Sequence, residues 1–179
     1  SLEKFDLIER LEDGRYRLGV EAARIGSVYQ QSFALEERIV PVLERLAAES
    51  FETASFYIRR GNQRLCLFRA DSPSPLRMNV RPGDMRPMDE SAIAQVLRIF
   101  GDRRATENST AQVPLYSSGI TDPHVASIAM PVFGTEQRLI GAIALSGPAS
   151  RLTAERAETL KPRLREAGER LSSELGAQL

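Results

Sequence analysis

The side chains of this sequence that could do chemistry are concentrated between residues 116 and 146. Ser127 and Ser146 fall in two neighbouring β-strand patterns, and Asp122 and His124 precede the first of them. Two hydroxyls that point into one dry space need hydrogen-bond partners, which a bound carboxylate or hydroxyl could supply as well as backbone carbonyls. The pattern indicates either a small-molecule site or a hydrogen-bonded core.

The two strand patterns share a face that carries small side chains, because bulky and small residues alternate in each. The small residues are Ser127, Ala129, Ala142, Ala144 and Ser146. If Phe133 pairs with Arg138, Ser127 lies opposite Ala144 and the small residues of the two strands coincide. Small side chains on a sheet let a helix approach closely or leave room for a ligand, and both interpretations remain open.

Catalysis and metal binding receive little support from the residue types. The sequence has one histidine, His124, and one cysteine, Cys66, which is typical of a buried strand residue in RLCLF. Asp122 beside His124 could act as a general base, but the spacing supplies no nucleophile, and Gly119 with Asp122-Pro123 also predicts an ordinary turn. We therefore predict no enzyme, no catalytic residues, no metal and no cofactor.

The composition indicates a globular protein of one domain, or of one domain with a short appendage. The chain has 179 residues, of which 42% are hydrophobic and 27% charged, with 24 basic and 24 acidic side chains. This balance argues against disorder and against nucleic-acid binding by the whole chain. The lone cysteine, and the lack of a leader or a long apolar run, predict a cytoplasmic protein without membrane contact.

The N-terminal region predicts a hairpin and two helices. Asp13-Gly14 is a strong turn signal between short strands, and basic side chains cluster around it. They are Lys4, Arg10, Arg15 and Arg17. They suit a wing lying on DNA phosphates and equally a solvated hairpin. Apolar spacing predicts a connector helix over Val20–Ser32 and a second helix over Leu35–Ser50, bent at Pro41.

The remaining pattern predicts a mostly antiparallel sheet between helices, which is an α+β sandwich. Further strands are expected at Thr53–Arg59, at Arg64–Arg69 and in LRMNVRPG, whose Leu76, Met78 and Val80 would point inward. A helix capped by Asp89 or Ser91 runs to Phe100, residues 101–115 form a loop, and Thr153 caps a final helix over 154–175.

Three motifs in order carry a resemblance to a known family: LEDGRYRLG (11–19), YSSGITDPHVASIAMPVF (116–133) and LIGAIALSGPASRLT (139–153). The chain resembles the IclR family of bacterial transcription regulators over nearly its whole length. The resemblance implies a GAF-like (profilin-like) effector-binding domain over 35–179, a linker helix over 20–34, and the wing of a winged helix-turn-helix over 1–19. The chain is then expected to be a fragment of a longer regulator.

The resemblance also implies function. Such regulators form homodimers or tetramers, and a small organic acid or aromatic metabolite changes their hold on operator DNA. The family's pocket positions correspond to Ala92, Ile93, Ser118, Val125, Ser127, Ala144 and Ser146, with Met78 as an apolar wall. The family often has a hydroxyl at the position of Ala144, and its loss here implies a less polar ligand. The family also has a longer segment between Phe100 and Tyr116 and an acid at the position of Ile120, and these two departures imply a more open or more apolar site, or a pocket that has lost its ligand.

Three hypotheses follow. The first is a ligand-sensing domain that acts through the connector helix, and the second is a ligand-free oligomerisation scaffold with a vestigial pocket. Filling of the space above Ala129 and Ala144 by Ile93 and Met78 would favour the scaffold. The third is an enzyme that uses Asp122 and His124.

Overall fold

The structure, a computed structural model, describes residues 2–11, 13–101 and 112–177, with the backbone alone for residue 23 and residues 25–34. The chain divides into two compact units, Ser1–Glu37 and Arg38–Leu179. Helix α1 (Val20–Ser50) passes through this division, so each unit contains part of it. None of the helices in the described part of the chain combines the length and the hydropathy needed to cross a bilayer.

The N-terminal unit contains the predicted hairpin. A short 3-10 turn (Leu2–Phe5) precedes strands β1 (Ile8–Arg10) and β2 (Tyr16–Leu18), which pair antiparallel with Ile8 opposite Leu18. The connection turns at Gly14, whose φ of 82° lies in the left-handed region that glycine adopts without strain. The hairpin prediction is confirmed, with strands shorter than expected.

The basic side chains of this hairpin are exposed, and three of them contact neighbours within it. Arg15 pairs with Asp13 at 2.6 Å and Arg17 with Glu9 at 2.7 Å, while the guanidinium of Arg10 lies 6.0 Å from the centre of the Tyr16 ring. Lys4 is exposed in the preceding turn. Their assignment to DNA contact remains a prediction from the resemblance.

The expected division between two N-terminal helices is wrong, because α1 is one helix of 31 residues. No glycine or proline separates the two predicted segments, and Pro41 is accommodated inside the helix. The helix ends at Phe51, whose φ of 62° is left-handed and whose N–H donates to the carbonyl of Ala47 at 3.0 Å. Strand β3 follows after one further residue, so the end of α1 and the start of the sheet are directly linked.

The second unit is built on a six-stranded antiparallel sheet in the order β5-β4-β3-β8-β7-β6. The strands are β3 (Thr53–Arg60), β4 (Gln63–Ala70), β5 (Met85–Pro87), β6 (Leu115–Ser118), β7 (Val125–Phe133) and β8 (Leu139–Pro148). Helices α2 (Ala92–Gly101) and α3 (Ala154–Glu174) both pack on β7 and β8. The α+β class is confirmed.

The two helices lie on opposite faces of the sheet. The N–H of Ala92 at the start of α2 donates to Ser117 Oγ, and Ser117 pairs with Ser127 on the small-residue face. On α3, a Cβ placed at Gly168 would lie 2.6 Å from Cγ of Met130, whose side chain points to the other face. Thr153 caps α3 as predicted, because its side chain accepts from the N–H of Arg156 at 3.2 Å.

Two strand predictions need correction. The LRMNVRPG segment is irregular: Val80 is buried and Met78 half-buried, but Leu76 is 65% exposed. The free edge of β4 pairs instead with β5, which the sequence pattern missed. Leu115–Ser118, expected in loops, form edge strand β6, because β7 offers them a free edge. Of the predicted 101–115 loop, residues 102–111 lie outside the described residues.

The β7–β8 pairing confirms the shared small-residue face with a different register. Ser127 lies opposite Ser146 and Ala129 opposite Ala144, two residues away from the predicted pairing. The predicted pairing assumed a simple four-residue turn, whereas a short 3-10 turn (Thr135–Gln137) and an irregularity at Val132/Phe133 shift it. A shift of two residues keeps every side chain on its face.

Close packing inside the sheet leads to a prediction for Gly141→Ala. A Cβ there would lie 2.5 Å from both the Phe56 ring and the carbonyl of Tyr57, and the backbone cannot move aside without breaking the β3–β8 pairing. We expect a loss of about 1–3 kcal/mol in the free energy of unfolding, measured by urea denaturation.

The matched control is Gly101→Ala at the end of α2. Among the described residues, a Cβ there meets only Nη1 of Arg59, at an ordinary 3.7 Å. We expect unchanged or slightly raised stability, and equal effects of the two substitutions would contradict the packing described here.

Candidate functional site

A cavity of about 120 Å³ lies on the small-residue face of the sheet. Its floor is formed by hydroxyl side chains of the three central strands, namely Thr53, Ser55, Ser127 and Ser146. The register explains this meeting, because Ser146 of β8 lies opposite both Thr53 of β3 and Ser127 of β7. The hydroxyls of Ser127 and Ser146 are 2.9 Å apart and hydrogen-bond to each other.

The walls of the cavity come from helix α2, the rim loop (residues 119–124) and an irregular segment between β4 and β5. The sequence-predicted residues that line it are Met78, Ile93, Val125, Ser127 and Ser146. Met78 belongs to the irregular segment and not to a third strand. The fold thus brings five of the predicted side chains, from four separate parts of the chain, into one cavity.

Three predicted site residues lie outside the cavity lining. Ala92 and Ala144 are fully buried where α2 packs on β7 and β8, and Ala129 is buried in the same way. Ser118 is exposed at the end of β6. The small-residue face therefore serves both proposed uses: its alanines admit a helix closely, and its hydroxyls line a cavity.

The sequence reasoning missed most of the polar lining. The missed residues are Thr53, Ser55, Tyr57, Arg64, Arg86 and Thr121. Thr53, Ser55 and Tyr57 alternate along β3, and this period of two was a usable signal that they share a face. Arg64 and Arg86 gave no local signal, because their place depends on the pairing of β4 with β5.

A hydrogen-bonded cluster around Arg64 joins β4, the start of α2 and the rim loop. Arg64 is 4% exposed, and its Nη1 donates to Asp89 Oδ1 and Ser91 Oγ, each at 2.7 Å. Its Nη2 donates to Thr121 Oγ1 at 3.1 Å, and Thr121 donates to Asp89 Oδ2 at 2.6 Å. The cluster holds the rim loop against the first turn of α2.

The cluster keeps Asp89 ionised. Desolvation on burial raises the pKa of this carboxyl, but hydrogen bonds from Arg64, Ser91 and Thr121 outweigh it and lower the pKa well below its ordinary value. The charge of Asp89 therefore compensates that of Arg64 across the physiological pH range.

Two polar atoms of the lining residues have no hydrogen-bond partner among the described residues. They are Oγ1 of Thr53, a residue 1% exposed, and Nε of Arg64. Buried polar atoms without a partner are uncommon and costly, by about 1–3 kcal/mol each. A bound molecule with hydrogen-bonding groups would satisfy both.

Tyr57 is the neutral aromatic member of the lining. Burial raises the pKa of its hydroxyl, so it is a phenol and not a phenolate at neutral pH. Its neighbour across the strands, Cys66, is fully buried, and burial raises the pKa of this thiol to about 11. Cys66 is therefore an unreactive thiol at neutral pH.

The rim loop does not form the histidine–carboxylate pair that one hypothesis required. Asp122 Oδ1 accepts the backbone N–H of His124 at 2.8 Å, and the carbonyl of Asp122 accepts the N–H of Val125 at 3.1 Å. The side chain of His124 is exposed. Asp122 thus shapes the turn, as the alternative interpretation predicted. Within the described residues there is no cluster of three or more potential metal ligands.

The irregular segment that carries Met78 is held by two arginines. Nη2 of Arg69 donates to the carbonyl of Met78 at 2.5 Å, and both Nη atoms of Arg151 donate to the carbonyl of Leu76 at 3.2 Å. Arg151 also binds both carboxylate oxygens of Glu52, a residue 1% exposed, at 2.7 Å. This wall of the cavity is therefore fixed to the junction between α1 and β3.

A larger groove of about 980 Å³ lies beyond the same wall and shares Met78 and Val80 with the cavity. It is open to solvent, and its polar lining mixes arginines with Glu44 and Asp71. The smaller cavity is the better candidate site because it is more enclosed and its hydroxyls converge.

The Arg64 cluster leads to a prediction for Asp89→Asn. The neutral amide leaves Arg64 buried without its counter-charge, and we expect a loss of about 3 kcal/mol in the free energy of unfolding at pH 7. Because the pKa of Asp89 is lowered on folding, its contribution is complete above roughly pH 4 and is lost as the pH falls further. The difference between the two proteins should therefore shrink in acid denaturation curves.

Glu90→Gln is the control for this substitution. Glu90 is 73% exposed and pairs with Arg98 on the surface, so we expect a change within about 0.5 kcal/mol. A similar loss in both variants would contradict a specific role of Asp89.

Comparison with known proteins gives a consistent result. Residues 116–173 match the model of the bacterial transcriptional regulator IclR C-terminal region. The chain is 24% identical to the HTH-type transcriptional regulator KipR of Bacillus subtilis, over 98% of this chain and 81% of that protein. It is 25% identical to the glycerol operon regulatory protein of Streptomyces coelicolor, over 92% of this chain and 75% of that protein.

Solved structures show the same fold. The Thermotoga maritima IclR crystal structure superposes with a TM-score of 0.70 at 17% identity, covering 98% of this chain and 82% of that one. The implied GAF-like fold is thereby confirmed. Regulators of this kind are not enzymes, which sets aside the hypothesis based on Asp122 and His124. The motifs, the fold and the matched relatives together show that the chain is similar, over most of its length, to bacterial transcriptional regulators of the IclR type.

Proposed function

We propose that residues 38–179 form a sensory domain that binds a small metabolite in the cavity above Ser127 and Ser146 and thereby alters binding of operator DNA. The observation that carries this proposal is the partly enclosed cavity of about 120 Å³ whose lining residues include two with unpartnered buried polar atoms, Thr53 and Arg64. An oligomerisation scaffold with no ligand would gain stability by filling this space and pairing these atoms.

The size and lining of the cavity bear on the ligand class. Of the two expected classes, an organic acid or an aromatic compound, the small acid suits the cavity better. An apolar cavity of about 150 Å³ binds benzene, and this cavity is both smaller and polar. Hydroxyls and guanidinium groups in the lining favour a molecule with several oxygen atoms.

The cavity has a direct structural connection to helix α1. Thr53 on the cavity floor follows the end of α1 by three residues, and Glu52 between them is fixed by Arg151. A ligand that binds Thr53 thus acts next to the end of the helix that continues into the N-terminal unit. The effect on DNA requires that the ligand bind two arrangements of this helix with different affinity.

The similarity to bacterial transcriptional regulators also supports operator DNA and further copies of this chain as partners. The N-terminal hairpin with Arg15 and Arg17 is our proposed wing. A homodimer or tetramer is our proposed assembly, which light scattering after size-exclusion chromatography tests.

The sensory role predicts that a small hydroxy acid stabilises the chain. Thermal unfolding in a panel of two- to four-carbon acids should show a rise of about 5 °C in Tm for a ligand present at 100 times its Kd. Ser127→Ala removes a floor hydroxyl and should weaken binding of that ligand about tenfold, as measured by calorimetry.

Ser118→Ala is the matched control, since Ser118 belongs to the neighbouring strand but is exposed outside the cavity. Its ligand affinity should equal that of the unsubstituted chain. If no acid and no aromatic compound changes Tm, the ligand-free scaffold is the better description.

A further inference from the structure

The charged side chains that line the cavity balance only when Asp89, which lies outside the lining, is counted with them. Arg64 and Arg86 contribute two positive charges, and Asp122 contributes one negative charge. Arg64 is compensated from outside the lining by Asp89 at 2.7 Å. In the described part of the chain no carboxylate pairs with Arg86, so Arg86 is the lining cation without a counter-ion there.

Arg86 belongs to the same side of the sheet as Arg64. It lies on β5 directly opposite Arg64 of β4, and side chains at opposed positions of an antiparallel pair project to one face. Like charges at such positions repel, and Asp89 relieves only one of them. Tyr57 lies in the field of both guanidinium groups, which lower the pKa of its hydroxyl while burial raises it more strongly. Arg86 is half-buried, and an anion bound in the cavity would stabilise its positive charge.

We propose that Arg86 is the residue that selects a negatively charged effector by binding its carboxylate. This rests on the proposed function, because it assigns the ligand class of the same cavity. A guanidinium binds a carboxylate through two parallel N–H donors, and Nε of Arg64 is a further donor on the same side. The hydroxyls of Ser127 and Ser146 then bind the other end of the ligand.

This assignment reverses one expectation from the sequence. The alanine at position 144 and the isoleucine at position 120 implied a less polar ligand, but Ala144 lies under α2 and Ile120 is 49% exposed. Neither residue lines the cavity. The polarity of the site is set instead by β3, β4 and β5.

The experiment compares acids with neutral compounds of the same shape. Acetate, glycolate, lactate and succinate are titrated into the 179-residue chain beside acetamide, glycolamide, lactamide and succinamide, by calorimetry at constant ionic strength. We expect at least one acid to bind tenfold or more tightly than its amide. Arg86→Met should remove this preference, weakening the acid tenfold or more without changing the amide, and Arg86→Lys should keep part of it.

Arg81→Met serves as the control, because Arg81 is exposed and lines the larger groove but not the cavity. It should leave the preference for acids intact. Circular dichroism and Tm confirm that each variant is folded.

The outcomes separate the two proposals. Equal binding of acids and amides, or an acid affinity that Arg86→Met leaves unchanged, would overturn the role of Arg86. If Ser127→Ala still weakens such binding, the cavity stands as the sensory site. If none of the eight compounds binds, the role of Arg86 is overturned, and the sensory site fails as well if no aromatic compound changes Tm.

Discussion

Three arginines, of which Arg64 is buried, hold the cavity walls in place, and the candidate site depends on them. Arg64 binds the start of α2 and the rim loop, Arg69 binds the carbonyl of Met78, and Arg151 binds the carbonyl of Leu76. A long side chain with several donors can fix a distant backbone segment without filling the space beside it. Apolar side chains of the same volume would gain their energy by closing that space. The cavity persists because its walls are fixed by hydrogen bonds from arginine side chains to polar side chains and main-chain carbonyls.

The same sheet face shows how one strand pattern serves two purposes. Towards α2, the alanines at 129 and 144 are completely covered, and the helix lies close to the strands. Two residues further along each strand, Ser127 and Ser146 take the place of these alanines, and α2 no longer covers the sheet. Close packing and ligand space are therefore parts of one surface. The helix-covered part gives the rigid support on which the hydroxyl floor depends.

Structural properties that depend on the local alternation of residue types could be predicted from the sequence. The faces of β7 and β8 were predicted correctly although the register was not, because a shift of two residues preserves the side of every residue. The burial of α2 and the cap of α3 were also local properties.

The cavity lining from β3, β4 and β5 could not be predicted in this way. Arg64 meets Ser146 only because β3 pairs with both β4 and β8, which is a non-local choice. The irregular segment carrying Met78 had the alternation of a strand, yet it pairs with none of the strands of the sheet.

Gly147 limits the substitutions that the wall of the cavity tolerates. A side chain at this position would occupy the place of the Glu52 carboxylate, with its Cβ only 2.0 Å from Oε2. Glu52 in turn is the partner of Arg151, which anchors the cavity wall. Glu52, Gly147 and Arg151 therefore constrain one another, although Glu52 and Gly147 are 95 positions apart in the sequence. A side chain at 147 therefore requires the Glu52 carboxylate to move, which would disturb its pairing with Arg151 and release the anchor of the cavity wall.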